Sequence, residues 1–367
     1  MLKVEGLWKS YTVDGGKVPA VRGVDFTVET GEFFTLLGPS GCGKSTTLRC
    51  IAGLEVPDAG EITSGERALF SSRQRGSVPI HKRNIGMVFQ SYAIWPHMSV
   101  YDNVDFPVKI KGVANRREMV MRALDLVGLN HLEDRSATDL SGGQQQRVAV
   151  ARAIVMDVDL LLFDEPLSNL DSKLRLQMRF ELRQLQKQLG ITSIYVTHDQ
   201  EEAMVLSDRV AVMDDGIIVE IGKPQDIYLS PRKLFTAKFV GQSNLLPGEI
   251  VSSDGVTATV KTAIGEIVTG ALDRNAPGEG FLMIRPEHIP MSWIKEDLPS
   301  SDVNVFEGTI VSETFMGKLV DFRVRIGDMS FEVQTTLHGT PRQESRVFIH
   351  LPPERCVMLP KDTPGIL

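Results

Sequence analysis

The sequence predicts an α/β protein: a P-loop core on a largely parallel sheet, carrying a helical subdomain, followed by a small all-β domain. Three observations lead there. Up to about Phe239, compact apolar runs alternate with helical patterns; FFTLLG, NIGMVFQ, LLLFDEP and SIYVTHD each end in polar residues. Near-continuous apolar runs suit strands buried on both faces, and interleaved helices make the sheet parallel. In SKLRLQMRFELRQLQKQL, Leu174, Met178, Leu182, Leu185 and Leu189 recur at steps of four and three, which marks one buried helix face. From Gly241 onward the pattern changes to short alternating strands separated by Gly, Asp and Pro: GEIVSSDG, VTATVKT, DFRVRIG, SFEVQTT and RVFIHL. That pattern predicts a small barrel or sandwich resembling the oligonucleotide fold.

The expected domains are therefore residues 1–240 and 241–367. A mainly helical subdomain is expected over about 92–151, where RREMVMRALDLVGL is amphipathic. The tail holds 11 Lys and Arg against 17 Asp and Glu, the wrong balance for the basic groove of an oligonucleotide reader. A regulatory or dimerising module fits better. The whole chain of 367 residues carries a net charge of −7, which argues against nucleic acid as a partner. No apolar run approaches the ~18 residues that span a bilayer. The start, MLKVEGLWKSYTV, has no signal-peptide pattern, and Cys42, Cys50 and Cys356 form no disulfide framework, so a cytosolic chain is expected.

The run Gly38, Pro39, Ser40, Gly41, Cys42, Gly43, Lys44, Ser45, Thr46 fits G-x-x-x-x-G-K-[ST] and lies between the strand FFTLL and the helical TTLRCIAG. That is the context a phosphate cradle requires. Its glycines let backbone N–H groups curl around a phosphate, Lys44 offers charge to the β- and γ-phosphates, and the Ser45 hydroxyl can ligate Mg²⁺. Cys42, beside Lys44, is expected to favour its thiolate. Asp164 and Glu165 end LLLFDEP; the first suits a Mg²⁺ ligand and the second a base that polarises water. His198 ends the next strand and suits γ-phosphate contact, although a lone histidine is often only a satisfied polar residue. Gln90, at a matching strand end, suits Mg²⁺ or the attacking water.

About a hundred residues after the cradle stands LSGGQQQR, Leu140 to Arg147. Ser141 reads as an N-cap, with Gly142 and Gly143 leaving N–H groups bare ahead of a helix from Gln144. Such an end attracts phosphate, or is simply a capped helix.

LSGGQQQR resembles the signature motif of ATP-binding-cassette proteins. GPSGCGKST, Gln90, LLLFDEP, SNLD and THD stand around it in that family's order. The resemblance implies an ATPase using ATP and Mg²⁺. It also implies that two cassettes meet head to tail, so that Ser141, Gly142, Gly143 and Gln144 of one close over ATP in the cradle of the other. Tyr11 matches the family's adenine-stacking aromatic, otherwise reading as a half-buried strand tyrosine. Asp171 resembles the loop linking the two sites, Glu165 the catalytic base and His198 the switch histidine.

The tail stretches NLLPGEI, GFLMIRPEHIPMS and FEGTIVSETFMGKLVDFRVRIG resemble importer ATPases of the maltose, polyamine, sulfate and ferric-iron groups. This implies a homodimer, or a heterodimer with a similar cassette, at the cytoplasmic face of the inner membrane, with two membrane-spanning permease subunits docked through residues 91–104. Indirectly it implies an extracytoplasmic solute-binding protein that delivers a small solute: a polyamine, ferric iron, a phosphonate or a sugar. Tyr92, Ile94, Trp95, Pro96 and Met98 would line the docking cleft, or serve as local core. The alternative in another class is a soluble, non-transport ATPase whose tail binds a ligand or protein.

Overall fold

In the computed structural model, residues 1–13, 15–74, 76–270, 278–299, 303–336 and 345–361 are described. The chain divides into two compact units, Met1–Pro224 and Gln225–Leu367.

The first unit holds two sheets. The six-stranded sheet runs Ile217–Gly222, Arg209–Asp214, Phe33–Leu37, Thr192–Thr197, Leu160–Asp164, Ile85–Val88, and only the first pair is antiparallel. Every residue of Phe33–Leu37, Leu160–Asp164 and Thr192–Thr197 is buried, which is why these runs show no polar alternation. Successive side chains serve opposite faces. Phe33, Phe163 and Tyr195 pack with the helical region, while Phe34, Leu162 and Ile194 pack with the helix Lys44–Ala52. The second sheet is antiparallel and was not expected from the apolar runs. Leu2–Val13 and Gly16–Val28 pair along their length from Leu2↔Val28 to Val13↔Gly16, joined by Ala59–Ser64, Arg67–Ser71 and Gly76–Ser77. Half-buried strands with bulges dilute the period-2 signal that would have revealed them.

The helices Val100–Lys111, Arg116–Leu126 and Gly142–Ile154 build the expected helical region. The long helix Ser172–Leu189 buries Met178 and Leu182, and Leu174, Leu185 and Leu189 pack at the edge of the same core, so the face read from the sequence is the one used.

The second unit begins earlier than residue 241, at Gln225. Two short helices, Pro224–Leu229 and Leu234–Phe239, precede its strands. Arg285, 1% exposed, explains why they belong to it: its guanidinium donates to the carbonyls of Tyr228, Val240 and Gln242 and to Ser243 Oγ, and lies 4.4 Å from the centroid of the Tyr228 ring. The remainder is all-β, two antiparallel five-stranded sheets closing over one apolar core that includes Leu246, Leu282, Phe322 and Ile349. No described helix is long and apolar enough to cross a membrane.

Candidate functional site

The loop after Phe33–Leu37 turns into the helix Lys44–Ala52 at the carboxyl end of the parallel strands, where open α/β sheets bind ligands. Its glycines do different jobs. A Cβ on Gly38 would stand 2.3 Å from the Met213 carbonyl oxygen, and one on Gly43 2.2 Å from that of Ala20. Gly43 also has φ +99° as the residue preceding the helix. Gly41, at φ +84°, has open space where its Cβ would be, so there only the backbone conformation asks for glycine.

Lys44 is 4% exposed and folds back on the loop, donating to the carbonyls of Gly38 (2.9 Å) and Pro39 (2.7 Å). Among the described residues it forms no salt bridge. A buried ammonium without an anion is costly, and a phosphate in the loop supplies the missing charge. Cys42 Sγ stands 3.8 Å from Lys44 Nζ. The thiolate expectation is overturned here: burial pushes the Cys42 thiol up, and the attraction of Lys44 does not offset it.

Ser45 Oγ donates to Asp164 Oδ1 at 2.6 Å, joining the start of the helix to the end of the strand two places along the sheet. Arg49, missed by sequence reasoning, approaches the other Asp164 oxygen at 3.5 Å. Glu165 is a non-glycine residue at φ +46°. This conformation is held by Glu165 N–H donating to Val196 O, and by Ser168 donating from its N–H and Oγ to the Glu165 carbonyl. The turn aims the Glu165 carboxylate at His198, with Nδ1 3.0 Å from Oε2. Backbone strain of this kind costs roughly 1–3 kcal/mol and collects where side-chain placement matters. Gln90 is exposed two residues beyond the strand Ile85–Val88, and its carbonyl accepts from Asn169 Nδ2 at 2.8 Å.

Pro39, Ser40 and Thr46 lie along the same loop and helix start. Tyr11 is half-buried, pairs with Val18, and has Lys9 Nζ 5.5 Å from its ring centroid. The strand carrying Val18 runs on to Ala20, which abuts Gly43, so Tyr11 sits on the hairpin beside the cradle.

Ser141 caps a helix that starts at Gly142, not Gln144. The cap is reciprocal: Gln144 N–H donates to Ser141 Oγ, and Ser141 N–H donates to Gln144 Oε1. The Gln144 side chain is thus occupied within the cap, and its N–H is not bare. A Cβ on Gly143 would lie 3.0 Å from Leu174, so this glycine also admits the neighbouring helix. Among the described residues no hydrogen bond or ion pair joins this helix end to the cradle. Asp171 likewise caps a helix, accepting from Leu174 N–H at 3.0 Å.

Around residues 91–104, Tyr92 is buried in the core, and half-buried Ile94 packs against it. Trp95 and Met98 are half-buried and Pro96 exposed. The Trp95 ring lies 4.4 Å from Phe106 and 4.6 Å from the Arg152 guanidinium. Arg152 donates to the carbonyls of Tyr92 and Ala93, both at positive φ, and buried Asn103 bonds both the N–H and the carbonyl of Trp95. Neither residue carried a motif that would have pointed to this role.

A phosphate cradle, a hydroxyl–carboxylate pair and a carboxylate–histidine pair, all at the ends of parallel strands, define a nucleoside-triphosphatase. Residues 21–168 match the ABC transporter family and residues 282–359 the TOBE domain. The chain is 42% identical over 313 residues to the spermidine/putrescine import ATP-binding protein PotA of Ruegeria pomeroyi, covering 85% of this chain and 82% of that protein. It is 49% identical over 258 residues to the trehalose/maltose import ATP-binding protein MalK of Thermococcus litoralis, covering 69% and 68%. Among solved structures, the ATP-binding cassette MJ0796 in a dimeric post-hydrolysis state bound to ADP and Pi superposes with a TM-score of 0.53 at 29% identity, over 61% of this chain and 99% of that one. The chain belongs to the ABC transporter family: it is an importer-type, ATP-hydrolysing subunit with a C-terminal TOBE domain.

Proposed function

We propose that two copies of this chain close head to tail around two ATP molecules, and that closure switches a pair of membrane permease subunits during import of a polyamine. The observation that carries the nucleotide part is the buried ammonium of Lys44, which has no anionic partner among the described residues and stands at a helix N-terminus beside bonded Ser45 and Asp164.

In this reading Lys44 turns from the loop carbonyls to the β- and γ-phosphates, and Tyr11 stacks on adenine. Ser45 Oγ and Asp164 Oδ1, 2.6 Å apart, are a hard-oxygen pair that fits Mg²⁺, with Gln90 reaching in from the neighbouring strand end. Mg²⁺, when bound, withdraws charge from the phosphates. Glu165 takes the proton of the attacking water. His198 holds the Glu165 carboxylate through Nδ1 and faces the γ-phosphate. Ser141, Gly142, Gly143 and Gln144 act from the opposite copy, and Asp171 lies on the loop between the two sites. Burying nucleotide between the copies shifts the population toward the closed state.

The outer surface of the 91–104 segment, Trp95 above all, is the proposed permease contact at the cytoplasmic face of the inner membrane. The solute assignment rests on the PotA relatives, such as that of Trichodesmium erythraeum, 41% identical over 93% of this chain.

Glu165→Gln is expected to cut hydrolysis by ~100-fold or more while ATP still binds; hydrolysis at the normal rate removes Glu165 as the base. Affinity purification from detergent-solubilised membranes is expected to recover two permease subunits with the parent chain and to lose them with Trp95→Ala. Uptake of labelled putrescine by host cells lacking this chain tests the solute, and undiminished uptake overturns the polyamine assignment.

A further inference from the structure

The segment Ser168–Asp171 joins the strand end at Glu165 to the helix Ser172–Leu189, and its backbone and side chains bond to three neighbouring pieces of the site. Ser168 donates to the Glu165 carbonyl, and Asn169 to that of Gln90. The third link runs through Arg175, one turn into the helix. Its Nη2 donates to the Leu170 carbonyl at 2.9 Å, and its Nη1 reaches Asp199 Oδ2 at 3.4 Å. Asp199 directly follows His198.

Asp199 is held from the same helix a second time, by Arg179 Nη2 at 2.9 Å. Arg179 is 4% exposed and also donates to Glu201. Beneath this pair, the Asp199 N–H donates to Thr197 Oγ1, which donates in turn to the buried Glu202 carboxylate; the Tyr195 hydroxyl donates to the same oxygen. Asp199 Oδ1 caps the helix Gln200–Leu206 by accepting from Glu202 N–H at 3.1 Å. His198 is thus the exposed residue between two anchored neighbours, and Arg175 lines the same surface depression as His198 and Asp199.

We propose that Arg175 is a positioning residue for hydrolysis: one guanidinium spans the Leu170 carbonyl and the Asp199 carboxylate, so a displacement of the Ser168–Asp171 segment is passed to His198 and from there to Glu165. This rests on the reading of Glu165 and His198 as the hydrolytic pair. One feature singles out Arg175 over the better-buried Arg179: of the two, Arg175 alone bridges to the loop, through the Leu170 carbonyl. Nε of each residue is buried with no hydrogen-bond partner among the described residues, so each fork is committed to its two outer nitrogens. A planar fork makes that bridge, and a point charge on a flexible stem cannot hold both acceptors. Through Asp171, this segment also faces the second copy in the proposed dimer, so the bridge ties the opposite nucleotide site to this one.

The experiment is steady-state ATPase kinetics on the full-length chain with Arg175→Ala, Arg175→Lys, Asp199→Asn and the double variant Arg175→Ala/Asp199→Asn. Asp199→Asn keeps Oδ1 for the helix cap and replaces Oδ2, the acceptor of both guanidinium groups, with an NH2 donor. Expected is a fall in kcat of about tenfold for Arg175→Ala with the KM for ATP and the thermal midpoint unchanged. Asp199→Asn is expected to give a similar loss, the double variant no more than the larger single loss, and Arg175→Lys an intermediate rate. Unchanged kcat in both single variants, losses that multiply in the double variant, or a rise in KM in place of a fall in kcat would overturn the proposal. Should Arg175→Ala fail to fold, Asp199→Asn and Arg175→Lys decide it on the same readouts. Glu165→Gln, measured alongside, separates failure of the hydrolytic assignment, which would leave that variant active, from failure of the bridge alone.

Discussion

Gly41→Ala and Gly43→Ala make the same chemical change two residues apart in the phosphate loop, and the structure assigns them different costs. At Gly41 the new methyl meets nothing within 4 Å, so the penalty is conformational, from φ +84°. For an L-residue that is roughly 1–2 kcal/mol. At Gly43 the φ of +99° imposes a similar penalty, and the methyl must also enter a site 2.2 Å from the Ala20 carbonyl oxygen, where ordinary contact begins at 3.4 Å. The obstacle is strand backbone at a bulge, held between the paired residues Pro19 and Val21, and cannot swing aside as a side chain would. Overpacking against such an obstacle typically costs about 1–3 kcal/mol, so Gly43→Ala is expected to lose roughly 2–5 kcal/mol in all. Part of the loss will be relieved by moving the start of the helix Lys44–Ala52, which carries Lys44 and Ser45 out of register with Asp164. Urea unfolding measures the stability difference, and titration with a fluorescent ATP analogue measures the binding loss. Gly43→Ala should be less stable than Gly41→Ala by about 1–3 kcal/mol and bind nucleotide more weakly. Equal unfolding midpoints for the two variants would refute the steric argument.

Two further outcomes follow from buried groups. With the Cys42 thiol pushed above its ordinary value by burial, thiolate is scarce at neutral pH and grows as pH rises; alkylation should be slow at pH 7, accelerate toward pH 10, abolish ATPase activity once complete, and be blocked by ATP. Rapid stoichiometric labelling at pH 7, or full activity after it, contradicts this. Arg285→Ala leaves the carbonyls of Tyr228, Val240 and Gln242 without their shared donor, and about 3–5 kcal/mol of destabilisation is expected in the C-terminal unit. Limited proteolysis should then cut Gln225–Leu367 while Met1–Pro224 survives; uniform resistance would show that Arg285 is dispensable.

Much of the catalytic half was legible because its elements are dictated locally. An apolar run buried on both faces, a Gly-x-x-Gly-x-Gly-Lys-Ser turn and a four-three leucine spacing each need only nearby residues, so Phe33–Leu37, Lys44–Ala52 and Ser172–Leu189 could be placed from sequence periodicity. The order of motifs pointed to Ser45, Asp164, Glu165 and His198 as one set. It could not reveal that Ser45 bonds Asp164, that Glu165 turns to positive φ to meet His198, or that the Gln144 side chain is spent on capping Ser141.

Those facts depend on register between strands distant in sequence, which no local pattern carries. The same holds for Arg152, Arg175 and Arg285. Each is an ordinary charged residue in the sequence and becomes specific only when folding brings backbone carbonyls of another segment within reach of its guanidinium. Cys42 shows the limit most plainly. Its neighbours in sequence argue for a thiolate, but the tertiary structure withdraws the water a thiolate needs, and desolvation outweighs one adjacent ammonium. The residue types and their spacing determined which chemistry this chain is equipped for; packing decided which of those groups are charged, paired and aimed, because desolvation and contact depend on every element that closes around them.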